Sequence, residues 1–232
     1  MLRSVKFDPG LLLGEDYDEE GMNNKMDPNL LYGILISSIS RWSEGLMISL
    51  IASTEKVDEV VDKVVWPNPD LSRGENKHIK KELGSVRFSY LKVIKELTII
   101  GIAKGIEDLI FDLKEIAGIK FKIWDPGMDL RFHNDVKCIR NLNNAIKHSR
   151  GVILDNNQKG NRSLIDDYGY KPNSEIEWIK INLEEMIIKA YVFQLDVISQ
   201  ITGHELEEEL KDEGNDLNKY VKDMLIPEIL RE

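Results

Sequence analysis

With a single cysteine, Cys138, in 232 residues, the chain has no second thiol for an internal disulfide. No disulfide framework organises it, and a reducing, cytoplasmic setting is expected. The N-terminal residues MLRSVKFDPG lack the continuous apolar segment of a secretory leader. Apolar runs are short as well: the longest, Leu30 to Leu50, is interrupted by Arg41 and Glu44, so no membrane span is expected. Neither GxGxxG nor GxxxxGKS/T occurs, cysteines are unpaired, HExxH is missing, and His78, His133, His148 and His204 are dispersed. No cofactor and no metal are expected from that inventory. Positive charge is also in deficit, at a formal net charge of -10, so the whole-protein field does not draw a polyanion and any nucleic-acid contact must be local.

Apolar residues make up 42% of the chain, ample for a real core at this length. Their spacing is mostly helical. Asp27 and Pro28 form a helix opening with proline where its missing N–H costs nothing. Leu30, Leu31, Ile34, Leu35, Ile39, Trp42 and Leu46 then recur at intervals of three and four. That helix is expected to continue or restart toward Pro67 and Pro69, which close it. A second long helix is expected over Lys77–Ala117, with Leu83, Val86, Tyr90, Ile94, Leu97, Ile100, Ile106, Leu109, Ile110, Leu113 and Ile116 inward. Within it Gly101 and Gly105 are four apart, a spacing that allows a close helix approach. IKFKIW (119–124) alternates and VIL (152–154) is a short apolar run, so each reads as a short strand, and Asn157 to Gly160 as a turn. Ser174 with Glu177 has the form of a capping box opening a helix that runs to Gly203.

These signals predict an all-α bundle of four or more long helices with at most a short strand pair. Residues 1–26, with the run GEDYDEEG, read as an N-terminal acidic arm, 27–203 as the helical bundle, and 204–232 as an acidic C-terminal helical extension.

The stretch NDVKCIRNLNNAIKHSRG, Asn134 to Gly151, carries the chemistry. Asn134 suits a cap and Gly151 a left-handed stop. At about 100° per residue, Cys138, Ile139, Leu142, Ala145 and Ile146 share one arc, while Lys137, Arg140, Asn141, Asn144 and His148 lie opposite. Arg140, Asn144 and His148 form one row of surface neighbours four apart. A planar guanidinium, a neutral amide and a titratable ring suit an anionic group such as phosphate. Around the row the charge is reversed: Lys137, Arg140, Lys147, Arg150, Lys159 and Arg162 stand against Asp155 alone between 136 and 163.

The row within IRNLNNAIKHSRG resembles the signature helix of the HEPN superfamily, many of whose members are metal-independent ribonucleases of toxin–antitoxin and phage-defence systems. The likeness covers about twenty residues and the bundle layout, with Asn141 as the polar residue after Arg140. The common family pattern places four to six residues between arginine and histidine; here there are seven. LNNAIKHS also resembles the asparagine box of histidine-kinase ATPase domains, but the glycine-rich DxGxG element and the mixed sheet of that fold are missing.

The HEPN resemblance implies Arg140, Asn144 and His148 as catalytic residues, Lys137, Asn141, Lys147 and Arg150 as substrate-binding residues, RNA as the partner, and a homodimer with the signature helices face to face. It implies cleavage by attack of the ribose 2′-hydroxyl. A non-catalytic helical interaction protein, antitoxin-like or a defence-complex subunit working through its acidic termini, is the alternative from the charge distribution.

Overall fold

The computed structural model describes residues 26–64, 66–207, 210 and 215–226; most of the acidic N-terminal arm and part of the C-terminal extension lie outside them. Helix α1, Pro28–Asp62, opens as its sequence dictates, with Pro28 at the first position and the Asp27 carboxylate accepting from the Asn29 N–H at 2.8 Å. It runs unbroken. Helix α2, Arg73–Ala117, starts four residues earlier than its apolar period implied, because Ser72 and Glu75 form a capping box there, and it stops at Gly118 in the left-handed conformation. Helix α3, His133–Ser149, carries the row. Strand β1, Val152–Ile153, pairs antiparallel with β2, Ser174–Glu175, across helix α4, Lys159–Asp166. Helix α5, Leu183–Thr202, and helix α6, Asn215–Leu225, complete an all-α bundle bearing one short strand pair.

Helices α1 and α2 are antiparallel, since Trp42 faces Gly101 and Gly105 while Asp58 pairs with Arg87 further along. The two glycines let the helices close up. The Trp42 Nε1–H donates to the Gly101 carbonyl at 3.0 Å, and Leu46 covers Gly101 one turn on. Helix α5 is the centre of the bundle: every residue from Ala190 to Ser199 is buried. Its polar members are satisfied by neighbours, Gln194 donating to the Gly105 carbonyl at 3.1 Å and Tyr191 bonded to Ser40 at 3.0 Å. Leu217, Val221 and Leu225 of α6 join the same core.

The inner face of α2 follows its expected register at Ile106, Leu109 and Leu113 and departs from it before Thr98. Thr98, Ile99, Ile102, Ala103, Ile106, Leu109 and Leu113 are buried, whereas Val86, Tyr90 and Leu97 are exposed. Beyond Leu50 of α1 and before Thr98 of α2 no described residue is fully buried; Lys92 and Lys95 still reach Glu175 and the Trp178 carbonyl on one side of α2, while an apolar stripe of the same helix faces solvent. The expected capping box at Ser174 and Glu177 is not formed: Ser174 is held in β2 opposite Ile153, and α5 begins eight residues later, where the Asn182 side chain accepts from the Glu185 N–H. Backbone pairing with β1 satisfies the groups that a helix start would have left open. Likewise 157–160 is not an isolated turn but the entry to α4.

Among the described residues α1 alone has the length and apolar composition to cross a membrane; here Leu31, Leu35, Ile39, Met47 and Leu50 are buried against the other helices.

Candidate nucleic-acid interface

Helix α3 buries Val136, Cys138, Ile139, Leu142 and Ala145 and turns its opposite face outward, as the periodicity implied. Asn144, Lys147, His148 and Arg150 are exposed, while Lys137, Arg140 and Asn141 are half-buried. Asn143, beside Asn144, is buried and contributes nothing to that face. The helix ends one residue before the expected glycine stop: Arg150 itself is left-handed at φ 54°, followed by Gly151 at φ 77°. The first residue is also displaced, since Phe132 precedes it in the left-handed conformation and Asn134 lies inside the first turn.

Two neighbours bound the row. On one side Asn141 abuts Gly160 of α4, where a Cβ would stand 3.1 Å from its Oδ1. On the other, the Arg140 guanidinium lies over the Trp124 ring, 4.0 Å from its centroid, a favourable cation–π geometry. Burial there pulls the Arg140 pKa below its ordinary value and nearby Glu107 opposes the shift; guanidinium remains a cation throughout the working pH range. His148 follows Arg140 by eight positions, about 12 Å along the helix axis. The row is therefore long enough to follow a backbone across more than one phosphate.

Sequence reasoning missed the strip beside it. Residues 120–124 form no strand, but their burial alternates: Phe121 and Ile123 are buried, and Lys120, Lys122 and Trp124 are exposed. The IKFKIW alternation was the signal, and what it lacked was any indication that Trp124 borders Arg140 of α3. Tertiary contacts hold the strip: Phe121 packs on Phe193 at a centroid distance of 6.4 Å, His133 bonds the Ile123 carbonyl, and the Asp125 N–H closes a turn onto the Lys122 carbonyl.

On the other side of α3 a concavity of about 340 Å³ is lined by Asp135, Cys138, Tyr168, Tyr170, Glu185 and Lys189, among others. Lys189 is paired with both Asp135 and Glu185 at 2.8 Å, so its charge is already matched and offers an incoming anion little. Burial pushes the Cys138 thiol up to about 12, and Tyr170, which hydrogen-bonds it, is raised as well. Cys138 is thus an inert thiol at neutral pH.

Comparison with protein-family models, with curated proteins and with solved structures finds no match for this chain.

Proposed function

We propose that this chain is a HEPN-like, metal-independent endoribonuclease of the phage-defence or toxin–antitoxin kind. The observation carrying the reading is the outward row on α3, with Asn144 and His148 open to solvent and Arg140 seated on Trp124. In the proposed reaction the His148 imidazole takes the proton of a ribose 2′-hydroxyl. The 2′-oxygen bonds to the adjacent phosphorus, the P–O5′ bond breaks, and the departing 5′-oxygen takes up a proton. The ends are a 2′,3′-cyclic phosphate and a 5′-hydroxyl, with no change of oxidation state. Arg140 holds the non-bridging oxygens as charge builds on them, and Asn144 orients one of these partners. Lys137, Asn141, Lys147 and Arg150 hold the flanking backbone. A homodimer with α3 facing α3 would supply the groups that one row, stretched over two turns, sets apart.

The test is cleavage of structured and unstructured RNA in EDTA by the purified protein and by His148→Ala. Loss of about 10² to 10⁴ in rate is expected for the variant. Equal cleavage by both proteins removes His148 from the mechanism.

A second reading, a helical interaction protein, is favoured by a different observation: Val86, Tyr90, Val93 and Leu97 are exposed in a 4-3-4 stripe along α2. Apolar residues at that spacing suit a partner helix, and the acidic termini would be further surfaces for a protein partner. RNA binding at low salt separates the two, since its absence leaves only the interaction protein.

A further inference from the structure

Three observations meet at residues 120–124. Lys120, Lys122 and Trp124 are exposed and alternate with buried Phe121 and Ile123, and the segment ends in the turn that the Asp125 N–H closes onto the Lys122 carbonyl. Trp124 is 55% exposed although it sits against Arg140, so ring surface beyond that contact remains open to a ligand. The segment is also pinned by buried Phe121, Ile123 and Pro126 and by the His133 bond to the Ile123 carbonyl, so its outward groups are held before any ligand arrives.

We propose that this strip, together with Arg140, binds single-stranded RNA, with Trp124 stacking on an unpaired base and Lys120 and Lys122 taking adjacent phosphates. The inference rests on the ribonuclease reading and deepens it by naming the form of the substrate. An aromatic ring needs an exposed base face, which a duplex keeps stacked inside and a single strand or loop offers. Alternating lysines beside the ring supply the backbone attraction that the acidic chain as a whole withholds. Glu107 near Arg140 and Asp125 next to Trp124 are acidic residues at this edge; they disfavour a ligand bound by charge alone and leave the advantage to one that also stacks. The arrangement places the base-reading group beside Arg140, two turns from His148, so that the strand would run along the α3 row toward the proposed proton acceptor.

The experiment measures binding of labelled 2′-O-methyl oligonucleotides, which lack the attacking hydroxyl and cannot be cleaved by the proposed reaction, at low salt by fluorescence anisotropy. Trp124→Ala is expected to weaken binding of a twelve-nucleotide single strand about tenfold or more. Trp124→Phe should retain most of the affinity, because a ring still stacks. An oligomer of the same length without bases tests the unmodified protein: it should bind as weakly as the normal strand binds Trp124→Ala, and the substitution should cost it little. This arm also separates stacking from any disturbance of Arg140. A duplex of equal length should bind more weakly than the single strand. Equal single-strand affinity in Trp124→Ala and the unmodified protein, or full affinity for the base-free oligomer, overturns the inference alone. Absence of single-strand binding overturns it together with the ribonuclease reading. Trp124-dependent binding without cleavage of unmodified RNA upholds it and overturns the ribonuclease.

Discussion

The Arg140 guanidinium carbon stands 4.0 Å from the centre of the Trp124 ring, so this cation is oriented by an aromatic surface rather than free to sweep solvent. A planar, delocalised group suits that stacking, and its fork suits two oxygens of one phosphate. Arg140→Ala is expected to lower RNA cleavage by about 10² to 10³, the range for loss of one preorganised charge-stabilising donor. Arg140→Lys should recover only a small part, since ammonium is neither planar nor bidentate. Single-turnover rates at saturating RNA check both, and full activity in the lysine variant would show that charge alone suffices.

A Cβ added at Gly105 would stand 2.3 Å from Trp42 Cδ1, whereas one added at Gly84 on the same helix meets nothing within 4 Å. Gly105→Ala should therefore destabilise by about 1–3 kcal/mol through overpacking, despite the better helix propensity of alanine. Gly84→Ala should stabilise by about 0.5–1 kcal/mol. Urea unfolding followed by circular dichroism reads both, and similar effects at the two positions would contradict the close approach of α1 and α2.

Cys138 is pushed up to about 12 from an ordinary 9.0, and Tyr168 up to about 12 from 10.0, chiefly because burial disfavours their charged forms. Tyr170 is raised for the same reason. The folded chain keeps these protons at pH values where the unfolded chain has begun to lose them. Their contribution to stability is thus intact below about pH 9 and declines as pH rises from 9 toward 12. Denaturation midpoints across that range should fall, and Cys138→Ala should flatten the first part of the decline. Below pH 9 the folded protein should also react only slowly with thiol reagents, and prompt reaction would place Cys138 at the surface.

Lys147 and Arg150 are exposed beside the row. If each meets a phosphate of a single strand, replacing it with alanine should make the dependence of log affinity on log salt shallower by about 0.7. Titrations at several salt concentrations measure this. An unchanged slope in both variants would move the backbone path away from the C-terminal end of α3.

The outward row on α3 was legible because a helix's 3.6-residue period is local, and the apolar positions Cys138, Ile139, Leu142 and Ala145 left one orientation for the rest. Trp124 was not, because its border with Arg140 joins a loop to a helix and depends on how residues 118–132 return across the bundle. The first half of α2 shows the same limit, whereas Ile106, Leu109 and Leu113 are buried as their period implied. Val86, Tyr90 and Leu97 form a regular stripe, but regularity cannot reveal that no described residue covers that side of the helix. The capping pattern at Ser174 lost to β-pairing with Ile153, a partner 21 positions away in sequence.

Local chemistry alone thus determined that the chain is helical, where α1 opens, that 101 and 105 allow close approach, and which face of α3 is polar. Backbone hydrogen bonding, capping and side-chain period act within a few residues and leave their marks in order along the sequence. Packing decided what lies against each of those faces: Trp42 on Gly105, Trp124 on Arg140, and solvent on Val86, Tyr90, Val93 and Leu97. Burial is a relation between distant segments, so these assignments exist only once the helices have come together.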